Sequence, residues 1–273
     1  SLHDALPRSE ERRVGKEWAK LTLVVPLNDM DALETVFREH GAQLAGAIIE
    51  PIPANNGLLL QERTFLQRLR ELCTAHSTVL ILDEVISGFR VGFRGSFDIY
   101  GITPDLVTYG KIIGGGMPVG AYGGRLDLMK QVAPEGPVYQ AGTLSGNPVA
   151  MAAGLAQLTE CLKPGFYEAL EAKTATLCAT VNTHAKAKGY AYHLDHIGSI
   201  FWGFFADADH IRRADAIESA SMKTYAKLHA ALLERGVYAA PSGYEVGFLS
   251  SAHTDAQVQQ VALAMCEALD EVM

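Results

Sequence analysis

Short runs of β-branched and aliphatic residues alternate with amphipathic helical segments along most of the chain. Candidate strands lie at residues 45–49, 78–82 and 106–109, and helical apolar spacing covers residues 30–41 and 63–76 between them. Strands that alternate with helices predict parallel βαβ units, because a crossover helix is the usual link between parallel strands. The pattern therefore indicates an α/β fold with a mostly parallel sheet and covering helices.

The remaining segments predict further elements and two folded portions. Additional candidate strands lie at residues 21–25, 119–122, 198–206, 237–239 and 246–250, the last two as a pair. Candidate helices lie at residues 148–162, 166–188, 214–235 and 254–272, the last opened by a Thr254–Gln257 capping box, and Asn28 is expected to cap the first helix. A boundary near residues 158–163 divides a larger portion, 21–160, from a smaller C-terminal α+β domain, 161–273.

Charge and composition exclude several classes of protein. The chain has 273 residues, 23 Lys+Arg against 31 Asp+Glu, and a net charge of −8, so no positive surface for nucleic acid or an anionic membrane is expected. No apolar run reaches the roughly 18 residues that span a bilayer. The four cysteines are far apart without CxxC spacing, which predicts free buried thiols, no metal site and a cytoplasmic location.

The first twenty residues differ from the rest in composition. Residues 8–17 hold mixed charges with one apolar residue, so they cannot form a core-facing surface. We therefore expect residues 1–20 to be a solvated charged leader outside the folded domains.

An acidic pair, Asp83-Glu84, follows the most apolar short strand. In open α/β sheets the carboxyl ends of the strands are where ligands bind. A buried carboxylate needs a partner, and a protonated heterocyclic nitrogen of a ligand would serve. Two other interpretations stay open at this point: Asp83 caps the next helix, or it pairs with an arginine such as Arg90.

A lysine directly after a strand, Lys111, stands between a glycine and an apolar pair, and Gly114–Gly116 follow. Desolvation there favours the neutral amine that a carbonyl-binding lysine requires, and the glycines allow a bulky ligand to approach the backbone. Because the lysine precedes the glycines, the order of an NTPase phosphate loop is absent. A plain surface lysine would not ordinarily have so apolar and glycine-rich a surround.

The segment at residues 142–148 opens a predicted helix with hydroxyl side chains and free amides. Such a helix start suits an anion such as phosphate, although an ordinary Ser or Asn cap explains it equally well.

Together these segments resemble a known family. Residues 83–90, 110–120, 139–148 and 236–242, with Glu245 and His253, are similar to the class III aminotransferases, which are pyridoxal 5'-phosphate enzymes of fold type I. The resemblance extends from about Leu21 to the C-terminus. It implies a partial fold type I large domain, a smaller C-terminal domain, and pyridoxal 5'-phosphate as cofactor.

The resemblance also implies a role for particular residues. Lys111 would link covalently to the cofactor and move a proton between substrate carbons, while Asp83 would pair with the pyridinium nitrogen. Val85 would pack on one face of the ring, and Thr143 would reach the cofactor phosphate of a neighbouring subunit, which implies a homodimer or higher homo-oligomer. Asn55 matches a position near the phenolic oxygen of the ring.

One departure from the family affects the functional prediction. Family members carry a substantial segment before the position of Leu21, including the glycine-rich loop for the cofactor phosphate, so this chain is expected to be a fragment or a shortened form. Glu245 matches an acidic active-site position of the family's aminomutases, and residues 237–253 contain no arginine for the carboxylate of a second substrate. The expectation is therefore an aminomutase acting on a small amino/oxo substrate. The alternatives are a transaminase and a non-catalytic fragment that binds cofactor poorly.

Overall fold

The structure is a computed structural model that describes residues 21–273. The predicted charged leader, residues 1–20, lies outside the described residues. The first half of the described chain contains these elements: α1 (Met30–His40), β1 (Gly46–Ile49), α2 (Arg63–Ala75), β2 (Val79–Glu84), α3 (Phe97–Tyr100), β3 (Leu106–Tyr109), β4 (Ala121–Gly124) and α4 (Leu126–Met129). The second half contains α5 (Pro148–Cys161), α6 (Phe166–Lys188), β5 (His193–Ile197), β6 (Ile200–Phe204), α7 (Ser221–Glu234), β7 (Gly247–Phe248) and α8 (Asp255–Val272).

The larger sheet has the strand order β1-β2-β3-β4. β1 and β2 are parallel, β2 and β3 are parallel, and β4 runs antiparallel to β3. Helix α2 packs against β2, α1 packs against α2, and apolar residues of both helices share one buried cluster with Leu80 and Leu82. The predicted fold class, a mostly parallel α/β sheet followed by a smaller α+β portion, is confirmed.

The direction and position of β4 differ from the prediction. The spacing predicts a strand at residues 119–122 within a parallel series, whereas β4 is shifted to Ala121–Gly124 and is antiparallel. Between β3 and β4 the chain forms only a short 3₁₀ helix, Lys111–Gly114. Parallel strands need a crossover of about a dozen residues or more, usually an α-helix, and this link is too short to provide one.

The first predicted strand is wrong. Residues 21–25 form no strand, and Leu21 and Val24 are 78% and 59% exposed. β-branched composition predicts a strand only where a neighbouring strand completes the hydrogen-bond ladder, and no described strand pairs with this segment. Ile48 on edge strand β1 is also 66% exposed, so apolar surface lies at this side of the sheet.

The cap of α1 is Asp29 rather than Asn28. The Asp29 carboxylate accepts a hydrogen bond from Ala32 N–H at 2.9 Å. Asn28 has a left-handed backbone with φ of 58°, a conformation that asparagine tolerates, and its side chain accepts from Glu62 N–H at 2.8 Å. Asn28 therefore connects the start of α1 to the start of α2.

The smaller sheet is antiparallel with the order β5-β6-β7. The predicted strand at residues 198–206 corresponds to β6, but the prediction missed β5. The predicted strand pair 237–239 and 246–250 is also wrong, because β7 pairs with β6 and residues 237–239 form no strand. The Gly198-Ser199 turn, with Gly198 at φ of 56°, is the hairpin signal that would have revealed β5.

The long helix predicted at residues 214–235 is divided. A 3₁₀ turn at Ala214–Ala216 precedes α7, and the backbone becomes extended at Ile217, with φ of −79° and ψ of 114°. The Ile217 side chain is buried in the core beneath the larger sheet, which interrupts the helix. α8 begins with the predicted Thr254–Gln257 capping box, and its Val258, Met265 and Leu269 are buried, whereas Val261 and Val272 are partly buried.

Two buried apolar clusters stabilise the described chain. The first joins the larger sheet to β6, and its largest buried side chain is Trp202. The second lies among α6, α7 and α8 around Leu177, Leu228 and Leu269. The division into portions 21–160 and 161–273 remains our proposal, and the second cluster supports it because all of its members follow residue 161.

Within residues 21–273, no helix is long and apolar enough to cross a membrane.

Asp105, which precedes β3, connects three elements of the larger portion. Its carboxylate accepts hydrogen bonds from Leu80 N–H at 2.8 Å, from Arg70 at 2.8 Å and from Arg125 at 3.0 Å. Burial by itself would raise the pKa of Asp105, but the bonds from Leu80, Arg70 and Arg125 together outweigh it and lower the pKa. The carboxylate is therefore stabilised in its charged form.

We expect Asp105→Ala to destabilise the fold by about 3 kcal/mol, because it leaves a buried amide and a half-buried arginine without their acceptor. The folded-state pKa of Asp105 lies below its unfolded value of about 3.9, so its stabilisation is present above that pH and is lost as the pH falls below about 4. Urea unfolding at several pH values measures both effects. Asp127→Asn is the matched control. It removes the exposed ion pair between Asp127 and Arg125 and should change the free energy of unfolding little. Equal stability of the two variants would contradict this prediction.

Candidate active site

The predicted site residues Asp83 and Lys111 lie at one edge of the larger sheet, and the loop that carries Asn55 leaves the same edge. β1, β2 and β3 are parallel, so their carboxyl ends are on the same side. Asp83 is near the end of β2, Lys111 follows β3 after a single glycine, and Asn55 lies in the loop after β1. In an open α/β sheet this edge is the usual ligand site.

Asp83 is half-buried and is oriented by its neighbours. One carboxylate oxygen, Oδ1, accepts from Val85 N–H at 3.0 Å and from Thr108 Oγ1 at 3.3 Å. Thr108 reaches Asp83 because the two residues are register partners on β3 and β2. No hydrogen bond or ion pair within residues 21–273 engages Oδ2, so that oxygen is available to a ligand.

The alternative partner for Asp83, Arg90, is used elsewhere. Arg90 Nε donates to Ile86 O at 3.1 Å, and its guanidinium lies 4.0 Å above the ring centroid of Phe248. Burial lowers the pKa of Arg90 to about 10. The interpretation of Asp83 as the ion-pair partner of Arg90 is therefore wrong.

Lys111 has an unusual backbone. It begins the 3₁₀ helix Lys111–Gly114 with φ of 46°, in the left-handed region that residues other than glycine rarely adopt. Such conformations cost about 1 kcal/mol or more and occur preferentially at functional sites. The Lys111 side chain is exposed, whereas Ile113 turns into the protein interior. The apolar neighbours of Lys111 in sequence predict a desolvated lysine, but residues 21–273 do not bury it.

The glycines after Lys111 serve the packing of α5. A Cβ at Gly115, whose φ is 57°, would overlap the carbonyl oxygen of Ala153, and a Cβ at Gly154 would overlap the carbonyl of Ile113. Backbone contact between α5 and the 3₁₀ helix therefore fixes the Lys111 segment. Among the three glycines at residues 114–116, Gly116 is the one with open space around its Cβ position. Of the two with positive φ, Gly115 and Gly116, it is therefore Gly116 that fits the predicted approach of a ligand.

Val85 lies against the segment that carries Lys111. A Cβ at Gly110 would be 3.2 Å from Cγ1 of Val85, so the valine side chain packs on the glycine that precedes the lysine. Val85 is half-buried and also supplies the amide that holds Asp83. It is thus adjacent to both predicted catalytic residues.

Thr143 lies in an exposed loop before α5. Asn147 is the N-cap of this helix, and its Oδ1 accepts from Ala150 N–H at 2.9 Å, so the ordinary-cap interpretation of residues 142–148 is correct for Asn147. Thr143 makes no hydrogen bond to Asp83 or Lys111 within the described chain. Its exposure leaves it available to another molecule.

The structure brings the loops of Asn55 and Glu245 together. Gly57 N–H donates to Tyr244 O at 2.6 Å, and Trp202 Nε1 donates to Gly243 O at 2.9 Å beneath them. Asn55 and Glu245 are both exposed. Burial is the main cause that raises the pKa of Tyr225 to about 12, and the charge of Glu245 adds to it.

Sequence reasoning missed the residues that support Asp83. Thr108 is identified only by strand register, since nothing in the sequence pairs it with Asp83. Glu84, singled out as half of an acidic pair, is 3% exposed and is bonded to Ser87 and Ser96. Burial raises the pKa of Tyr109, and the charge of Glu84 raises it further.

The described chain is thus an α/β protein with a carboxylate and a lysine at the carboxyl ends of two neighbouring parallel strands. Residues 17–269 match the family model of class III aminotransferases, and the chain belongs to that family. It is 47% identical over 254 residues to the glutamate-1-semialdehyde 2,1-aminomutase of Desulforudis audaxviator (strain MP104C), covering 93% of this chain and 58% of that protein. The corresponding aminomutase of Akkermansia muciniphila is 48% identical over 252 residues, covering 92% of this chain and 59% of that protein.

Solved structures of the family have the same fold. An omega-transaminase from Sphaerobacter thermophilus superposes with a TM-score of 0.87 at 34% identity, covering 94% of this chain and 59% of that one. A glutamate-1-semialdehyde aminomutase from Pseudomonas aeruginosa PAO1 gives a TM-score of 0.79 at 26% identity, with coverage of 92% and 57%. The chain therefore spans somewhat less than three fifths of the length of these relatives.

Proposed function

We propose that this chain carries the lysine and the ring-nitrogen carboxylate of a pyridoxal 5'-phosphate-dependent enzyme. The observation that carries the proposal is the placement of a left-handed Lys111 directly after β3 and of Asp83 near the same end of the neighbouring parallel strand β2. Family membership adds to it, because a transaminase of similar fold has pyridoxal 5'-phosphate bound, with a TM-score of 0.82 at 29% identity. The catalytic residues proposed are Lys111 and Asp83.

The described residues fit this cofactor. The free Oδ2 of Asp83 suits a protonated ring nitrogen, and the exposed primary amine of Lys111 suits an aldehyde. Val85 offers an apolar side chain next to Gly110, the residue that precedes Lys111. For the remaining contacts, Thr143 is proposed for the phosphate and Asn55 for the phenolic oxygen.

Each proposed residue has a chemical role. Pyridoxal 5'-phosphate, when bound, supplies an electron sink for negative charge that develops on a substrate carbon. Asp83 holds a proton on the ring nitrogen by its negative charge, while Val85 N–H and Thr108 Oγ1 keep its carboxylate oriented. Lys111 Nζ binds the cofactor and then accepts and returns a proton as general base and acid. Glu245 is proposed to contact the substrate.

The reaction proposed is that of glutamate-1-semialdehyde 2,1-aminomutase, an isomerase that exchanges amino and oxo groups within one molecule to give 5-aminolevulinate. The 47% and 48% identity to two such enzymes supports it. The lack of arginine in residues 237–253 also supports it, since transfer to a second oxo acid needs a group for that acid's carboxylate. The second candidate is a class III transaminase, which the 0.87 TM-score to an omega-transaminase favours.

A single pair of assays tests the proposed function. The protein is saturated with pyridoxal 5'-phosphate and given glutamate-1-semialdehyde, and 5-aminolevulinate is measured. A parallel reaction adds an amino donor and pyruvate as a separate acceptor. We expect 5-aminolevulinate without net transfer to pyruvate. Robust transfer to pyruvate would support the transaminase instead, and lack of both products together with lack of cofactor absorbance would support a non-catalytic fragment.

We further propose that the chain acts as a homodimer or higher homo-oligomer in the cytoplasm. α5 and the loop before it expose apolar side chains at the position of Thr143, including Leu144 at 68% and Leu155 at 70% exposure. All four cysteines are free and buried, which suits a reducing compartment. Sedimentation tests the oligomeric state, and dialysis tests how firmly the cofactor is held. We expect an oligomer that readily loses the cofactor on dialysis, and a monomer that retains the cofactor would contradict this expectation.

A further inference from the structure

The buried carboxylate of Glu84 has no cationic partner within residues 21–273. Glu84 is 3% exposed, and its oxygens accept only from Ser87 Oγ at 2.7 Å, from Ser96 N–H at 2.8 Å and from Ser96 Oγ. Burying a carboxylate costs free energy unless donors replace its water shell. Here three donors, all from the loop that follows β2, replace it.

These contacts attach the loop at residues 85–96 to the end of β2. Gly88 N–H donates to Glu84 O at 2.9 Å at the start of the loop, and Ser96 meets the carboxylate at its end. The fit is tight, since a Cβ at Gly95, whose φ is 59°, would be 2.6 Å from Glu84 Oε2. Glu84 thus closes the loop at both of its ends.

The same loop begins with the residue that orients Asp83. Val85 N–H donates to Asp83 Oδ1, and the Val85 side chain packs against the position of Gly110 beside Lys111. Side chains alternate along a strand, so Asp83 and Glu84 point to opposite faces of β2. Glu84 therefore acts on Asp83 through the backbone that it holds.

We propose that Glu84 is a positioning residue for this site: by holding the loop at residues 85–96, it keeps the Val85 amide on the Asp83 carboxylate. The expected effect of Glu84 on cofactor binding rests on the proposed function. Its expected effect on the backbone does not depend on a ligand, so the role of Glu84 and the proposed function can be tested separately.

The test compares Glu84→Gln with Glu135→Gln, an exposed glutamate that serves as the matched control. Glutamine preserves the shape but loses the charge, and its amide NH₂ faces groups that donate to Glu84. In ligand-free protein, we expect hydrogen exchange of the Val85 amide and of the loop amides to rise about tenfold in Glu84→Gln and to stay unchanged in Glu135→Gln. Unchanged exchange in Glu84→Gln would overturn the proposal whether or not the protein binds cofactor.

The second measurement is titration with pyridoxal 5'-phosphate followed by absorbance. We expect Kd to rise about tenfold in Glu84→Gln, and the pH midpoint of the bound-cofactor spectrum to shift, because a misaligned Asp83 holds the ring-nitrogen proton less well. Lower thermal stability with an unchanged Kd and spectrum would mean a structural role only and would overturn the proposal. If the unsubstituted protein binds no cofactor, the proposed function fails, while the exchange result still decides the role of Glu84.

Two milder variants apply if Glu84→Gln does not fold. Ser87→Ala and Ser96→Ala each remove a hydroxyl donor and leave the charge in place. We expect each variant to raise hydrogen exchange of the loop amides by a smaller factor than Glu84→Gln does. In Ser96→Ala the backbone N–H of residue 96 can still donate to Glu84. No change in either variant would contradict the proposal.

Discussion

Under the proposed function, Lys111→Ala should abolish formation of 5-aminolevulinate and the visible absorbance of lysine-bound pyridoxal 5'-phosphate, while the protein stays folded. The substitution removes the proposed nucleophile and proton-transfer base together, and no other described lysine directly follows β2 or β3. The exposed side chain of Lys111 contributes little to the core, so circular dichroism should be unchanged.

Lys130→Ala is the matched control, because Lys130 is an exposed lysine outside the proposed site. It should retain turnover and cofactor absorbance. Lys111→Gly adds a second readout: glycine adopts a φ of 46° without steric cost, so this variant should be inactive but more stable to thermal unfolding by about 1 kcal/mol. Turnover by Lys111→Ala at a comparable rate would show that the lysine assignment is wrong.

Asp83→Asn should reduce turnover by a factor on the order of 10² to 10³, or about 3–4 kcal/mol in the barrier. Asparagine preserves an acceptor for Val85 N–H and Thr108 Oγ1, so the geometry of the β2 end is kept. It removes the negative charge that holds a proton on the ring nitrogen, which weakens the withdrawal of electrons from the substrate. Steady-state kinetics of the cofactor-saturated protein measures this loss.

Two other variants separate charge from orientation at Asp83. Thr108→Val removes one hydrogen bond to Asp83 and keeps the charge, so it should reduce turnover by a smaller factor than Asp83→Asn. Asp207→Asn changes an exposed carboxylate of the C-terminal portion and should have no effect. Full activity of Asp83→Asn would remove Asp83 from the proposed catalytic residues.

Much of the local structure was accessible from the sequence. The bounds of β3 (Leu106–Tyr109) and α6 (Phe166–Lys188) agree with their predicted ranges, and α1 and α8 agree closely. Apolar spacing and capping residues determine such elements, because both depend on neighbours within a few residues. The same local signals identified Asp83 and Lys111 as candidates, since each follows a strand that the sequence marks as buried or β-branched.

The tertiary structure decided what depends on residues that are distant along the chain. Residues 21–25 have strand composition but no neighbouring strand, and β4 is antiparallel because the link from β3 is too short for a crossover. Register alone brings Thr108 to Asp83, and packing against α5 explains Gly115. Glu84 has the same sequence signal as Asp83, but the donors of the loop at residues 85–96 bury it on the opposite side of β2. The sequence determined which residue types stand at the strand ends, whereas strand pairing and burial determined which of their atoms are free to react.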